Sequence, residues 1–335
     1  MTPRCPPPDR PTGPFWAVTS YYNPAGYRRR KANYRLFRHH LELPLLTVEW
    51  SRDGRFELGP GDADILIQLD GGDVMWQKER LLNIGIGRLP AECTHVMWID
   101  CDVIFGQPVA DAVMAELSRA PLVQPFKANI NLGRMSVEAL EAPGAWRDAP
   151  AVQERLGWGY YHCEARARGN DAAYTVPAPD ARFSFPASVG LAWAASREFL
   201  QDNPLPEAWI LGGGDGSFIY AAHGHAQDNA RLCRLSPAHA RHYFRYASRL
   251  SEVVAGRVSF VDGTLYHLWH GDAADRRYRE RYAILERHGF DPDRDLDVDR
   301  STGVWRWRHA NQPLATEVAG YFASRFEDGR DAPGA

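Results

Sequence analysis

The chain has 335 residues, with 39 lysines and arginines against 42 aspartates and glutamates and a formal net charge of −3. That balance excludes capture of nucleic acid or membrane by global charge and leaves any such contact to a local patch. Hydrophobic residues make up 44% of the chain, enough for a core without staples, and the five cysteines, odd in number and lacking a C-x-x-C pair, suggest neither a disulfide framework nor a cysteine zinc site. A reducing cytoplasm is the expected home.

Residues 1–14 are proline-rich and have no apolar core, which reads as a disordered lead-in and not as a signal peptide or membrane anchor. Phe15–Ser20 reads as a first strand, followed by turn chemistry in Asn23, Pro24 and Gly26. A helix from about Tyr27 carries Tyr34, Phe37 and Leu41 at helical spacing, and its basic start, Arg28–Lys31, suits either solvent or phosphate. Leu45–Glu49 and Asp64–Leu69 are the next strands. The helix over 74–89 then sets Glu79, Arg80 and Asn83 along one stripe and Leu81, Leu82, Gly85 and Ile86 on the opposite side. Its polar stripe faces either a ligand or water.

Thr94–Phe105, THVMWIDCDVIF, is the pivot of the sequence. Val96–Ile99 is a continuous apolar run, as in a strand covered on both faces of a mainly parallel sheet, and Asp100 and Asp102 close it. Alternation along an extended segment sends both carboxylates to one side and Cys101 to the other. Ligands of open α/β sheets bind beyond the carboxyl ends of the strands, so two hard oxygen donors there suit Mg²⁺ or Mn²⁺ on the phosphates of a nucleoside diphosphate. A bare D-x-D also serves as an ordinary pair of strand-end acids capping the next loop.

A helix after Pro108 and a strand over 122–126 continue the alternation expected of a doubly wound α/β domain. Residues 129–182 break the rhythm and read as an irregular insertion or lid. Ser188–Ala194 resumes as a strand, with Ser196 placed to cap the helix beginning at Arg197. In WILGGGDGSF, Gly213 and Gly214 let the backbone approach a ligand closely, and Asp215 stands where a helix begins, as a functional acid or as a helix cap. In TLYHLWHGD, His267 and His270 reach one metal only from a turn or distorted helix, and are otherwise structural histidines. The acidic run over 291–299 lacks the glycine and terminal glutamate of an EF-hand calcium loop. With VWRWRH ending the ordered core, the expected organisation is one domain over 15–310 and a tail over 311–335.

Three of these stretches, in this order, resemble the catalytic region of the β-1,4-galactosyltransferase and polypeptide GalNAc-transferase type of GT-A glycosyltransferases. The family's helix N-R-x-K-L-L-N-x-G is similar to QKERLLNIG here, with Arg80 and Asn83 in the Lys and Asn places. Its W-G-G-E-D-D-D is similar to ILGGGDGSF, where Asp215 takes the position of the base, Gly214 replaces the Glu, and Gly216 and Ser217 replace the last two acids. Its Met-x-x-His metal pair is similar to His267-x-x-His270.

The resemblance implies a GT-A fold, Rossmann-like with a mostly parallel sheet. It implies Mn²⁺ or Mg²⁺ on Asp102, His267 and His270, and a UDP-sugar donor contacted by Asp100, Arg80, Asn83, Gly213 and Gly214. Asp215 becomes the base of an inverting transfer to a hydroxyl on a glycan, a protein or a hydroxylated DNA base. Two rivals remain. One is a non-catalytic sugar-binding module of the same fold. The other is a non-haem iron oxygenase, whose facial triad also uses one carboxylate and two histidines, but which needs an all-β barrel.

Overall fold

The computed structural model describes residues 13–169, 187–278, 280–309 and 312–331. In chain order the first half runs β1 (Phe15–Tyr22), α1 (Arg28–His40), β2 (Leu45–Ser51), β3 (Ile65–Asp70), α2 (Lys78–Gly87), β4 (His95–Ile99), β5 (Val103–Phe105), α3 (Ala110–Leu117), β6 (Leu122–Gln124), β7 (Ala128–Leu132), β8 (Ala151–Leu156) and α4 (Trp158–Ala167). The second half runs β9 (Ala192–Ser196), α5 (Arg197–Asp202), α6 (Gly214–Ala222), α7 (Ala226–Leu232), α8 (Pro237–Val254), β10 (Val258–Phe260), β11 (Thr264–His267), α9 (Glu280–Arg287), α10 (Pro292–Asp295), β12 (Leu296–Val298), β13 (Trp305–Trp307) and α11 (Gln312–Ala323).

The α/β expectation holds. Seven strands form the central sheet in the order β10-β6-β9-β4-β1-β2-β3. Pairings β1–β2, β1–β4, β2–β3 and β10–β6 are parallel, and β9 alone runs antiparallel to its neighbours. β1 and β4 sit at its centre, which is why Trp16–Val18 and Val96–Ile99 are apolar at every position and buried on both faces. α2 packs across β1 and β2 through Leu81, Leu82 and Ile86, at a crossing so close that a Cβ on Gly85 would stand 2.8 Å from Val18 Cγ1. Ser196 caps α5, its side chain accepting from the Phe199 amide.

Two expectations about organisation change. The described part of 129–182 is regular: β7 and β8 extend a second, four-stranded sheet ordered β5-β11-β7-β8, and α4 follows, while 170–186 lie outside the described residues. Scattered aromatics hid this, since Trp146 and Trp158 anchor the segment without a simple period. Part of the stretch expected as a tail also packs into the core. In α11, Leu314, Val318, Tyr321 and Phe322 are buried, and the Phe322 ring stacks on Trp76 at 6.2 Å between centroids.

The second sheet positions the site. β11 pairs antiparallel with β5, setting His267 opposite Val103, and the Leu268 amide donates to the Asp102 carbonyl at 2.9 Å. The histidine loop is thereby fastened to the D-x-D turn.

Candidate functional site

A cavity of about 360 Å³ opens beyond the carboxyl ends of β1 and β4 and takes in Asp100, Asp102, Gly213, Asp215, His267 and His270. Residues from three separate stretches of sequence thus meet there, in the place where α/β sheets bind their ligands.

Asp102, His267 and His270 converge, with one ligand atom from each lying within 4.8 Å of the others. His270 Nε2 stands 3.3 Å from Asp102 Oδ2, His267 Nε2 stands 3.7 Å from Asp102 Oδ1, and the two Nε2 atoms are 3.1 Å apart. His267 Nδ1 lies 3.1 Å from Asn131 Oδ1, an oxygen that also accepts from Asn129 while the Asn131 amide nitrogen donates to Gln153. That arrangement puts the His267 proton on Nδ1 and leaves Nε2 a bare lone pair aimed at the cluster. Asp102 Oδ1 is buried with no hydrogen-bond partner. A carboxylate oxygen without a donor and two imidazole nitrogens beside it fit a divalent cation of the Mn²⁺ class once Arg276 Nη2, 2.5 Å from His270 Nε2, gives way.

Burial sets the protonation here. It pushes the Asp102 carboxyl up to about 6, with Asp100 adding to the effect. Burial and the Arg276 guanidinium push His267 down to about 3 and His270 well below the ordinary histidine value. Both imidazoles are neutral at physiological pH, the form that ligates metal.

On the other side of the cavity, Lys78 joins two carboxylates. Its Nζ lies 2.5 Å from Asp100 Oδ1 and 2.9 Å from Asp215 Oδ2. Burial alone would lower the ammonium, but Asp100 and Asp215 hold it well above the ordinary lysine value. Neighbouring Glu79 is buried beneath Gly214, its carboxyl raised to about 8 by desolvation. Asp215 lies in the first turn of α6, with Gly213 as the N-cap, and both of its oxygens accept from Lys78.

Sequence reasoning missed Lys78, although its place just before Glu79 at the start of the helix leading to the D-x-D strand was a usable signal. It also missed Arg276, Tyr278 and Arg281, which line the same cavity.

Arg80 and Asn83 are not brought to the site. Arg80 donates to the Gly303 carbonyl and Glu207 and covers the Trp305 ring, while Asn83 bonds Leu205 and Glu207. The first turn of α2 turns Lys78 inward, and the residues one turn further on face β13 and the 205–207 loop. Gly213 lines the cavity at φ +107°, whereas Gly214 is required by packing, since a Cβ there would stand 2.1 Å from Glu79 Oε1.

No protein-family model and no curated protein matches the chain. Among solved structures it is similar to S. aureus TarS, with a TM-score of 0.35 and 12% identity over 82% of this chain and 41% of that one. It is likewise similar to S. aureus TarS 1-349, with a TM-score of 0.36 and 11% identity over 93% and 71%. This chain therefore spans well under half of the first TarS chain. At that level of similarity no residue role passes from one protein to the other. Among the described residues no helix is long and apolar enough to cross a membrane.

Proposed function

We propose that the protein is a metal-dependent glycosyltransferase of GT-A type that moves a sugar from a nucleoside diphosphate, UDP by preference, to an acceptor hydroxyl with inversion. The observation that carries this reading is the joint occupancy of one cavity by the Asp102–His267–His270 cluster and the Lys78-held Asp215. The first is a cation site suited to a diphosphate, and the second an acid that can serve as base. The mostly parallel central sheet counts against the iron oxygenase, which needs a β-barrel scaffold for the same three ligands.

Asp102, His267 and His270 would hold Mn²⁺ or Mg²⁺, and the bound ion would supply charge neutralisation for the departing diphosphate. Asp100, paired with Lys78, would bind the donor's ribose or a metal-bound water. Gly213 lets the donor or acceptor approach the backbone. Asp215 Oδ accepts the proton of the acceptor hydroxyl as that oxygen attacks the anomeric carbon from the face opposite the leaving group. Lys78 keeps Asp215 ionised for that step. The acceptor class is a glycan, a protein or a hydroxylated DNA base, and the four described cysteines, all free, suit a reducing compartment such as the cytoplasm.

The deciding experiment is a screen of nucleotide sugars for hydrolysis with Mn²⁺, with Mg²⁺ and in excess chelator. Metal-dependent release of UDP or another nucleoside diphosphate supports the reading. Turnover that survives chelation removes the metal from it. Glycan binding without turnover of any donor replaces it with a sugar-binding module.

A further inference from the structure

The cavity holds more positive charge than its own carboxylates answer. Lys78 is paired with Asp100 and Asp215, and Arg30 and Arg325 with the buried Glu327. Arg276 and Arg281 line the same cavity, and no carboxylate among the described residues forms an ion pair with either.

Neutral groups hold both guanidiniums instead. Arg276 donates from Nη1 to Tyr278 Oη at 2.9 Å, and its Nη2 lies 2.5 Å from His270 Nε2 and donates to the His270 carbonyl at 3.2 Å. Arg281 donates from Nη2 to Tyr282 Oη at 3.0 Å, and its Cζ lies 5.0 Å and 4.9 Å from the ring centroids of Tyr278 and Tyr282. Tyr278 thus stands between the two, with its oxygen on Arg276 and its face against Arg281. The Nε of each arginine is buried and has no hydrogen-bond partner. Arg281 also lies against the turn that leads to Asp215, since a Cβ on Gly212, at φ +85°, would stand 3.0 Å from its Nη1. Two guanidiniums fixed in orientation, partly buried and short of counter-charge are good receptors, because their planar donor sets match paired oxyanion oxygens.

We propose that Arg276 and Arg281, flanking Tyr278, form an oxyanion site for a phosphate-type group, beside the Asp102–His267–His270 cluster and able to bind without a metal. The site deepens the nucleotide-sugar reading and rests on it only for the anion's origin, which is either the donor's diphosphate or an acidic group on the acceptor.

The test is binding to the full chain in chelator, with inorganic phosphate as the probe, for wild type, Arg276→Gln, Arg281→Gln and Arg281→Lys, each checked for an unchanged fold by thermal melt. Loss of a charge-assisted contact should weaken phosphate roughly tenfold to a hundredfold in the glutamine variants, and less in the lysine variant. Two further titrations separate the sources. If UDP weakens in parallel and blocks glycerol 3-phosphate, the anion is the donor's. If UDP binds the variants as it binds wild type, and glycerol 3-phosphate binds the UDP-loaded wild type but not the variants, the anion belongs to the acceptor. Absence of phosphate binding by wild type, or equal binding by wild type and the glutamine variants, overturns the proposal. Failure of the transferase reading is a separate result: no donor turnover while phosphate binding persists.

Discussion

Lys78 donates to both carboxylate oxygens of Asp215, at 2.9 and 3.2 Å, from a side chain only 9% exposed. The same ammonium touches Asp100, so a single cation at the start of α2 ties the acid on the donor side to the acid on the acceptor side. Lys78→Met leaves Asp100, Asp215 and Glu79 crowded together without it. Burial raises the Asp215 carboxyl and Lys78 lowers it, so removing the lysine moves it higher still. The acid limb of the kcat–pH profile should therefore shift upward by about a unit or more, with Lys78→Arg restoring most of it. The stability loss should be roughly 1–3 kcal/mol, below the full cost of an orphaned buried charge, because Asp100 and Asp215 remain 26% and 27% exposed. An unchanged pH profile would rule out the coupling.

Asp215→Asn separates base from helix cap. The N-cap of α6 is Gly213, and the Asp215 oxygens are engaged by Lys78. If Asp215 removes the acceptor proton, kcat should fall ~10²- to 10⁴-fold while donor affinity stays close to wild type. A cap would lose little, since asparagine caps as well as aspartate. Steady-state kinetics with donor affinity measured alongside reads the difference directly.

Asp102→Asn should abolish metal binding and turnover while making the metal-free protein more stable above pH 6. The sign follows from the raised carboxyl: a group lifted to about 6 in the folded chain favours folding when protonated, and that contribution is lost as pH rises through about 6. Removing the charge should thus raise stability at pH 7–8 by roughly 1–3 kcal/mol, and the gain should vanish near pH 4. Spacing alone points to the histidines as the groups whose protonation releases metal below about pH 6.5. With His267 held near 3 and His270 well below normal, the competing proton near pH 6 belongs to Asp102. Metal titrations between pH 5 and 7.5 on wild type check this. A flat affinity across that range would exclude Asp102 as the titrating ligand.

The parts of this site that could be read from the sequence are those where one side chain type has few alternatives. Asp100 and Asp102 end an apolar run too continuous to be a surface strand, and His267 and His270 flank a tryptophan in a short loop. Arg276 and Arg281 were not readable, because a charged residue on a helix or in a turn has the same pattern whether it faces water or a cavity. RRYRERY in particular looks like i,i+4 surface pairing, and only the tertiary fold turns Arg276 and Arg281 inward. Arg80 and Asn83 show the converse. Their place in a motif suggested a ligand, yet the rotation of α2 about its axis hands them to Glu207.

The C-terminal segment offers the last test, since its role is visible only in three dimensions. Glu327, 2% exposed, accepts from Arg30 Nη2 at 3.0 Å and pairs with Arg325 Nε at 2.8 Å, and its Oε2 lies 4.0 Å from His270 Nδ1. It is the counter-ion for guanidiniums packed behind the proposed metal ligands. Burial would raise its carboxyl, but Arg30 and Arg325 outweigh that and hold it at about 2. A carboxyl held low stabilises the fold above its ordinary range near 4.5, and the contribution fades as pH falls toward 2. Glu327→Gln leaves Arg30 and Arg325 buried without an anion and should cost about 3–5 kcal/mol, a drop of roughly 4–7 °C in Tm at pH 7. Because wild type forfeits the same contribution in acid, the two melting curves should converge as pH falls below 4. Truncation after residue 310 removes Leu314, Val318, Tyr321 and Phe322 from the core as well and should give no soluble folded protein. A truncated chain melting within a few degrees of wild type, or a Glu327→Gln variant whose deficit is independent of pH, would show that the segment only covers the core and is not its electrostatic partner.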